Sequence, residues 1–268
     1  MKNIFMIALA CAVTVCLYAE MASVDGSNIV GFSTVDDNGN DTSILAVPYV
    51  SCLNNDGDIM LADLISTNGL AGHSTDPTQA DQLIVLIDDN GLKYYYYYLD
   101  LEDGWTGIET AMKQPDGSEV VVTPTAAASL PVSRGEGFWL KRVETSSNPL
   151  YVQGEVSASN PSTSIVDGLN LVGYGSGEAM GLNSVDWTGA DGGNGLLQNS
   201  DKIIVVEADG SLSYYYYFTN PGTGWEAYPA GSSWVKDDYT QADINIPAGQ
   251  GFWYLRRDGG SFNFQPDN

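Results

Sequence analysis

One stretch of this chain occurs twice: residues 81–105 read DQLIVLIDDNGLKYYYYYLDLEDGW, and residues 201–225 read DKIIVVEADGSLSYYYYFTNPGTGW. The two align without a gap, and eleven of the 25 aligned pairs are identical, including four consecutive tyrosines and the closing Gly-Trp. In each copy a β-branched run, an Asn-Gly or Asp-Gly turn and an aromatic run follow one another, which predicts a β-hairpin. We therefore interpret the chain as a tandem duplication.

The duplication extends beyond the hairpin. Residues 44–49 match 169–174, residues 130–131 and 135–142 match 246–247 and 249–256, and residues 150–153 match 262–265. Helical periodicity is nearly absent, so the chain is predicted to be all-β with minimal helix. We expect two homologous units, residues 20–156 and 157–268, each a small β-sandwich or a partly closed barrel. Because residues 151–156 also resemble residues 29–32, one middle strand is predicted to be shared by both units.

The first nineteen residues have the layout of a secretory signal peptide. They contain one lysine, an apolar run over residues 4–15 and a small residue, Ala19, before the expected cleavage point. The apolar run is short for a membrane span. The protein is therefore expected outside the cell or at its surface, with no membrane span once the signal is removed.

The charge of the chain restricts its partners. It has 34 acidic and 10 basic residues, for a formal net charge of −24. Nucleic acid is excluded as a partner, because the phosphate backbone requires a basic face. Cys52 is the only cysteine outside the predicted signal peptide, so no internal disulfide framework is expected. The expected partners are further copies of this chain, other surface proteins or a polysaccharide.

A strand of consecutive tyrosines cannot place all its rings on one face, because successive side chains point to opposite sides. Two interpretations are open. One set of rings fills the core while the other packs under a loop or on the sister unit, or one set forms an exposed platform for sugar rings or another subunit. The strand itself is either central in its sheet or an edge through which chains assemble. The candidates for an interface or a stacking platform are Tyr95, Tyr97, Tyr215, Tyr217, Trp105, Trp225 and Trp234.

The sequence contains little that is typical of catalysis. His73 is the only histidine, and neither a G-x-S-x-G motif nor a phosphate-binding loop occurs. The acids that recur in both units are Asp81 with Asp201 and Asp89 with Asp209, at a strand entrance and a turn. We therefore expect no catalytic activity and no cofactor, and a hydrolase using scattered carboxylates ranks third among the hypotheses.

One segment resembles a calcium-binding loop. With Gly57 as the central glycine, the ligands would be Asn54, Asp56, the carbonyl of Asp58, and Asp63. The first ligand position falls on a cysteine, and the second repeat lacks the segment. The alternative is an Asp-Gly turn before a helical turn.

The pattern Leu-Asn-Leu-Val-Gly-Tyr, a hairpin ending in Gly-Trp and then Ile-Pro-Ala-Gly-Gln-Gly-Phe-Trp-Tyr resembles a repeat of exported bacterial proteins. That repeat often reads G-W-N-L-I/V followed by L-x-P-G-x-G-F/Y-W, and is similar to repeats of secreted and cell-surface proteins of planctomycete and verrucomicrobial groups. The first copy departs from it at residues 43–48. The resemblance implies an extracytoplasmic β module without established catalysis, and it supplies no site residues.

These observations favour a secreted or cell-surface protein with a structural or adhesive role, self-assembling through its tyrosine strands. The alternative hypothesis is an extracellular carbohydrate-binding module that uses aromatic side chains as stacking platforms.

Overall fold

The structure is a computed structural model that describes residues 21–22, 29–35, 42–46, 59–65, 67, 69–88, 92–113, 117–132, 135–143, 150–155, 162–174, 179–207, 211–247, 249–257 and 259–265. The predicted signal peptide and the predicted boundary between residues 156 and 157 lie outside these residues. Within them, no helix is long and apolar enough to cross a membrane.

The prediction of an all-β chain is confirmed. The strands are Met21–Ala22 (β1), Ile29–Val35 (β2), Thr42–Ala46 (β3), Ile59–Met60 (β4), Gln82–Asp88 (β5), Leu92–Asp100 (β6), Gly104–Ile108 (β7), Thr110–Lys113 (β8), Glu119–Val122 (β9), Pro131–Val132 (β10), Gly137–Lys141 (β11), Leu150–Glu155 (β12), Thr163–Ile165 (β13), Gly168–Gly173 (β14), Met180–Gly181 (β15), Lys202–Val206 (β16), Leu212–Thr219 (β17), Ser232–Val235 (β18), Asn245–Ile246 (β19), Gly251–Arg256 (β20) and Phe262–Phe264 (β21). The helical segments are single 3₁₀ turns at Leu61–Asp63, Pro77–Gln79, Ala127–Ser129, Gly193–Gly195 and Leu197–Asn199.

Two five-stranded antiparallel sheets have equivalent strand orders. The first has the order β3-β11-β5-β6-β7, and the second has the order β14-β20-β16-β17-β18. A two-stranded ladder accompanies each sheet, β4 with β10 in the first unit and β15 with β19 in the second. Within the described residues none of the sheets closes on itself. The repetition seen in the sequence is therefore a repetition of topology.

The inner face of each sheet carries one apolar core, covered by loops and by the short ladder. The first core contains buried residues from the sheet, from the loops and from the ladder: Leu45, Ile59, Leu61, Leu64, Ile65, Leu83, Val85, Tyr97, Leu99, Trp105, Ala127, Leu130, Val132, Phe138 and Leu140. The second core is richer in aromatic rings and contains Val172, Tyr174, Trp187, Ile203, Tyr215, Trp234, Phe252, Tyr254 and Phe264 among its members. Burial of each large side chain contributes about 1.5–3 kcal/mol.

The prediction of a shared middle strand is wrong. In the described residues β12 pairs with β2 and belongs to the first unit, in the sheet β1-β2-β12. A separate strand, β13, pairs with β21 in the second unit. The two similar segments thus lie side by side as antiparallel neighbours in one sheet of the first unit.

The repeat also differs in register from the gap-free alignment. Leu83 pairs with Tyr97 in the first unit, whereas Ile203 pairs with Tyr215 in the second. The second tyrosine strand is therefore displaced by two residues relative to the alignment, which keeps each tyrosine on its original face. The displacement carries through to the next strand, where Leu99 pairs with Trp105 and Tyr217 pairs with Trp234. Trp234, and not Trp225, is thus the structural counterpart of Trp105.

The outer faces of the two sheets meet in a shared apolar cluster. Its buried members are Ile44, Val206 and Trp253, and half-buried side chains pack against them: Leu86, Tyr94, Trp139, Leu169, Leu171 and Ile204. Trp139 and Trp253 contact edge to face, with ring centroids 5.3 Å apart. The two units are thus held together by packed side chains as well as by the chain that links them.

Backbone contacts across this interface come in equivalent pairs. The N–H of Ala46 donates to the carbonyl of Gly249 at 2.9 Å, and the N–H of Gly173 donates to the carbonyl of Gly135 at 2.8 Å. Ala46 and Gly173 occupy the same position in their ladders, so the same contact is made twice. This is the arrangement of a two-fold symmetric dimer, formed here within one chain.

Candidate functional site

Both tyrosine strands are central in their sheets. β6 lies between β5 and β7, and β17 lies between β16 and β18. Residues 96–98 of β6 and Tyr216 of β17 have ladder partners on both sides, whereas residues 92–95 and 212–215 have a ladder partner on one side in the described part of the chain. Of the two options that the sequence left open, the central position is the one observed, and self-assembly through the tyrosine strands stays a prediction.

Four of the predicted platform residues lie in the cores. Tyr97 and Trp234 are fully buried, and Tyr215 and Trp105 are only 6% and 5% exposed to solvent. Alternation places these side chains on the inner faces, where the loops cover them. The sequence could not reveal which face the loops cover, so the expectation of accessible rings is corrected for these four residues.

The remaining inner tyrosines are half-buried. Tyr95 packs against the first core and Tyr217 against the second. The hydroxyl of the buried Tyr97 donates to the carbonyl of Thr125 at 2.7 Å, and burial, with the neighbouring Tyr95 second, raises the pKa of Tyr97. The inner rings are therefore part of the packing of each unit.

The outer rings are used in two further ways. Tyr94 packs on the sister unit in the shared cluster, and Phe218 is fully buried beneath a loop of the second unit. Tyr214 is 44% exposed, and the ammonium group of Lys202 lies 5.6 Å from its ring centroid and 4.8 Å from that of Tyr216. Packing on the sister unit and under a loop is the first of the two interpretations drawn from the sequence.

The acid that begins each hairpin is a buried structural carboxylate. Asp81 accepts the N–H groups of Ala71 and Val143 at 3.0 and 2.9 Å, and it lies 3.4 Å from the Nε of Arg142. Arg142 in turn donates to the carbonyl of Gly69 at 2.8 Å. The carboxylate therefore joins a loop to the end of the β11 strand.

Asp201 repeats this arrangement with one more partner. It accepts the N–H groups of Asp191 and Arg257 at 2.9 and 2.8 Å and is paired with the guanidinium of Arg256. The hydroxyl of Tyr254 donates to it at 2.7 Å. Burial, followed by this carboxylate, raises the pKa of Tyr254. Every partner is structural, so neither acid is arranged as a catalytic group in a cleft.

The remaining candidates for chemistry lie on loops. The Nδ1 atom of His73 accepts the N–H of Asp76 at 2.9 Å, which is the role of a turn residue. Of the predicted calcium ligands, Asn54, Asp56 and Asp58 lie outside the described residues, and Asp63 ends the 3₁₀ turn Leu61–Asp63. The described ranges contain no group of three His, Cys, Asp or Glu side chains that could hold a metal. Calcium binding at this segment stays a prediction.

Four aromatic side chains form a cluster on the outer face of the second unit. We call Phe218, Trp225, Tyr228 and Tyr239 the aromatic cap. The ring centroid of Tyr228 lies 5.1 Å from that of Trp225 and 5.0 Å from that of Tyr239. Phe218 lies beneath them and is fully buried, whereas Tyr228 is 38% exposed. Trp225 is the one predicted platform residue found here, and it is half-buried.

The loop that carries the cap has a defined conformation. The side-chain amide of Asn220 donates to the carbonyls of Trp225 and Pro229 at 3.1 and 2.9 Å, and its oxygen accepts the N–H of Gly222 at 2.8 Å. Tyr239 has φ = 64°, a left-handed backbone conformation that is rare for an aromatic residue. Surrounding contacts must hold it there, and such strain is concentrated at functional positions.

Comparison with family models, with curated proteins and with solved structures found no match for this chain.

The likeness to the exported bacterial repeat therefore stays a prediction. Tyr228 and Tyr239 are not among the residues predicted from the sequence. A signal for them existed, because residues 220–231 link β17 to β18 in the second unit, whereas residues 101–103 make the equivalent link in the first. A loop present in only one of two repeats is a place to look for function.

Proposed function

We propose that this chain is an exported two-unit β protein with a structural or adhesive role outside the cell. The observation that carries the proposal is the use of the repeated residues: the paired acids, the tyrosines and the Gly-Phe-Trp segments all build the units or join them. What the duplication preserves is architecture, which is what a structural component requires. The acidic composition favours a solvated surface.

A separate surface supports self-association. The ribbon formed by β8 and β9 pairs with no third strand in the described part of the chain. Its strand β9 exposes Val120 and Val121, the latter at 64%. A two-stranded ribbon with apolar side chains and free edges favours pairing with another chain. We assign self-association to this ribbon, since β6 and β17 are central in their sheets.

Light scattering over a range of concentrations, with and without calcium, tests this assignment. The unmodified protein should form larger species as concentration rises, and Val121→Lys should stay monomeric because a charge interrupts the apolar ribbon. Leu196→Lys is the control, since Leu196 is also exposed, at 43%, but lies in the second unit. A monomer at every concentration would contradict self-association.

Carbohydrate binding is the second candidate function. The buried rings no longer support it, but the aromatic cap favours it, because the cap presents partly exposed rings on a loop with a defined conformation. The two functions are compatible, since an adhesive protein can assemble through one surface and hold a glycan with another.

A further inference from the structure

We propose that the aromatic cap is a binding site for an uncharged polysaccharide. The proposal rests on the second candidate function and specifies its site, its ligand class and its stoichiometry.

The arrangement of the rings suits a pyranose ligand. The ring planes of Tyr228 are tilted by 47° from Trp225 and by 56° from Tyr239, so the faces of these rings are not stacked on one another. Phe218 supports the cluster from below. A sugar ring presents an apolar face of C–H groups, which packs on an aromatic ring while its hydroxyl groups remain in contact with water or polar atoms.

The cap is held in place before any ligand arrives. Asn220 binds both sides of its own loop, and the carboxylate of Glu226 accepts the N–H of Gly224 at 3.0 Å. Tyr239 lies in a tight turn. In this turn the N–H of Lys236 donates to the carbonyl of Thr240 at 2.8 Å. Binding to a loop that is already ordered loses less conformational entropy than binding to a mobile one.

The charges near the cap select the class of glycan. Glu226, Asp237 and Asp238 lie on the same two loops and are exposed, and the chain as a whole has a net charge of −24. Carboxylates accept hydrogen bonds from sugar hydroxyl groups, but they repel uronates and sulfated sugars. Lys236 is the cation on these loops. An uncharged polysaccharide is therefore favoured over an acidic one.

The first unit lacks the loop, so each chain should carry one such site. Residues 101–103 occupy the position of the loop in the first unit, and Asp100 stands where the second unit has Phe218. The innermost ring of the cap is thus replaced by a carboxylate that accepts the N–H groups of Glu102 and Asp103.

Isothermal titration calorimetry on the full chain tests the proposal. The probes are soluble hexasaccharides of neutral glucose, mannose and galactose, with hexagalacturonate as the anionic comparison. At least one neutral probe should bind with a stoichiometry of one per chain. Tyr228→Ala should weaken that binding by about tenfold, and Tyr228→Phe should retain it to within about threefold, because the ring is kept. Tyr214→Ala is the matched control, since Tyr214 is at least as exposed as Tyr228 but lies outside the cap, and this variant should bind as the unmodified protein does.

Three results would overturn the proposal: no heat with any neutral probe, equal affinity in Tyr228→Ala, or tighter binding of the galacturonate. Near-ultraviolet circular dichroism establishes that each variant is folded. The outcome is separable from the assembly proposal, because Val121→Lys should lose self-association and keep glycan binding, whereas Tyr228→Ala should do the reverse.

Discussion

A single buried carboxylate organises the entry to each hairpin. Asp81 and Asp201 are both fully buried, and each connects a preceding loop, the end of the Gly-Phe-Trp strand and an arginine. A buried charge is tolerated only where ion pairing and hydrogen bonds replace the lost water. Most partners of the two carboxylates are backbone groups. The hydrogen bonds therefore fix where the loop and the strand lie, and they depend little on which side chains those segments carry.

Removal of the second of these carboxylates should be severely destabilising. Asp201→Ala removes the carboxylate that pairs with the buried guanidinium of Arg256 and that accepts two backbone N–H groups and the Tyr254 hydroxyl, and we expect a loss of about 3–5 kcal/mol in the free energy of unfolding. Chemical denaturation followed by tyrosine and tryptophan fluorescence measures it. Asp243→Ala, at an exposed acid, should change the same quantity by less than about 0.5 kcal/mol. Similar losses in the two variants would contradict the role given to Asp201.

The buried tyrosines should make the protein sensitive to alkali. Burial raises the pKa of Tyr97 and of Tyr254 above the usual value of about 10. Their neutral forms therefore stabilise the folded state fully below about pH 10, and this stability is lost as the pH rises through the raised values. Absorbance at 295 nm should show these tyrosines ionising only as the protein unfolds. Ionisation of all sixteen tyrosines near pH 10, with the fold intact, would contradict this.

The outer edge of β18 is bonded by the backbone of residues 240–242 and by the side chain of one asparagine. The N–H of Trp234 donates to the side-chain oxygen of Asn183 at 2.7 Å, and the amide of Asn183 donates to the carbonyls of Trp234 and Ala242 at 3.2 and 2.7 Å. The side chain thus supplies the acceptor for the N–H of Trp234, next to the backbone bridge between Val235 and Gln241. In the first unit the equivalent position is Ala62, as the matching bonds of Leu61 and Leu182 indicate.

Asn183→Ala should therefore weaken the second unit. The change removes three hydrogen bonds and leaves the buried N–H of Trp234 without an acceptor, so we expect a loss of about 2 kcal/mol in the free energy of unfolding. Hydrogen exchange at the Trp234 amide should also become faster. Asn199→Ala, at an exposed asparagine, serves as the control. Unchanged exchange at Trp234 would show that another group protects this edge.

At the scale of the molecule, the two units pack as the halves of a two-fold dimer. The equivalent glycines Gly137 and Gly251 face the opposite unit so closely that added Cβ atoms would lie 2.9 Å from Leu171 and 2.7 Å from Ile44, respectively. A Cβ at Gly173 would collide with the carbonyl oxygen of Glu136. The close approach is what allows the backbone bonds and the contact between Trp139 and Trp253.

Gly173→Ala should separate the two units without removing either core. The new methyl group pushes Glu136 away, and we expect a loss of about 1–3 kcal/mol. Denaturation of the unmodified protein should follow one cooperative transition, because the shared cluster couples the units, and the variant should show two. Gly260→Ala is the control, since its added Cβ has only an ordinary contact at 3.7 Å. Two transitions in the unmodified protein would mean that the interface contributes little.

Local patterns were enough to predict the strands, the hairpins and the duplication, because alternation and turn residues act over a few positions. They could not predict the two-residue displacement that makes Trp234 the partner of Trp105. That displacement depends on where the turn closes and on the length of residues 220–231. Local patterns could not identify Asn183 either, because its hydrogen-bond partners, Trp234 and Ala242, lie more than fifty positions away in the sequence.

Alternation along the tyrosine strands assigned each ring to one of two faces, and the structure agrees with that assignment. Whether a face is covered, and by what, was decided by tertiary contacts: loops cover the inner faces, the sister unit covers Tyr94, and Trp225, Tyr228 and Tyr239 cover Phe218. The physical reason is that burial depends on distant segments, whereas the direction of a side chain depends only on its own backbone. The candidate glycan site is therefore a product of the tertiary structure: its rings all lie within residues 218–239, but only the folding of two loops over the sheet brings them into contact.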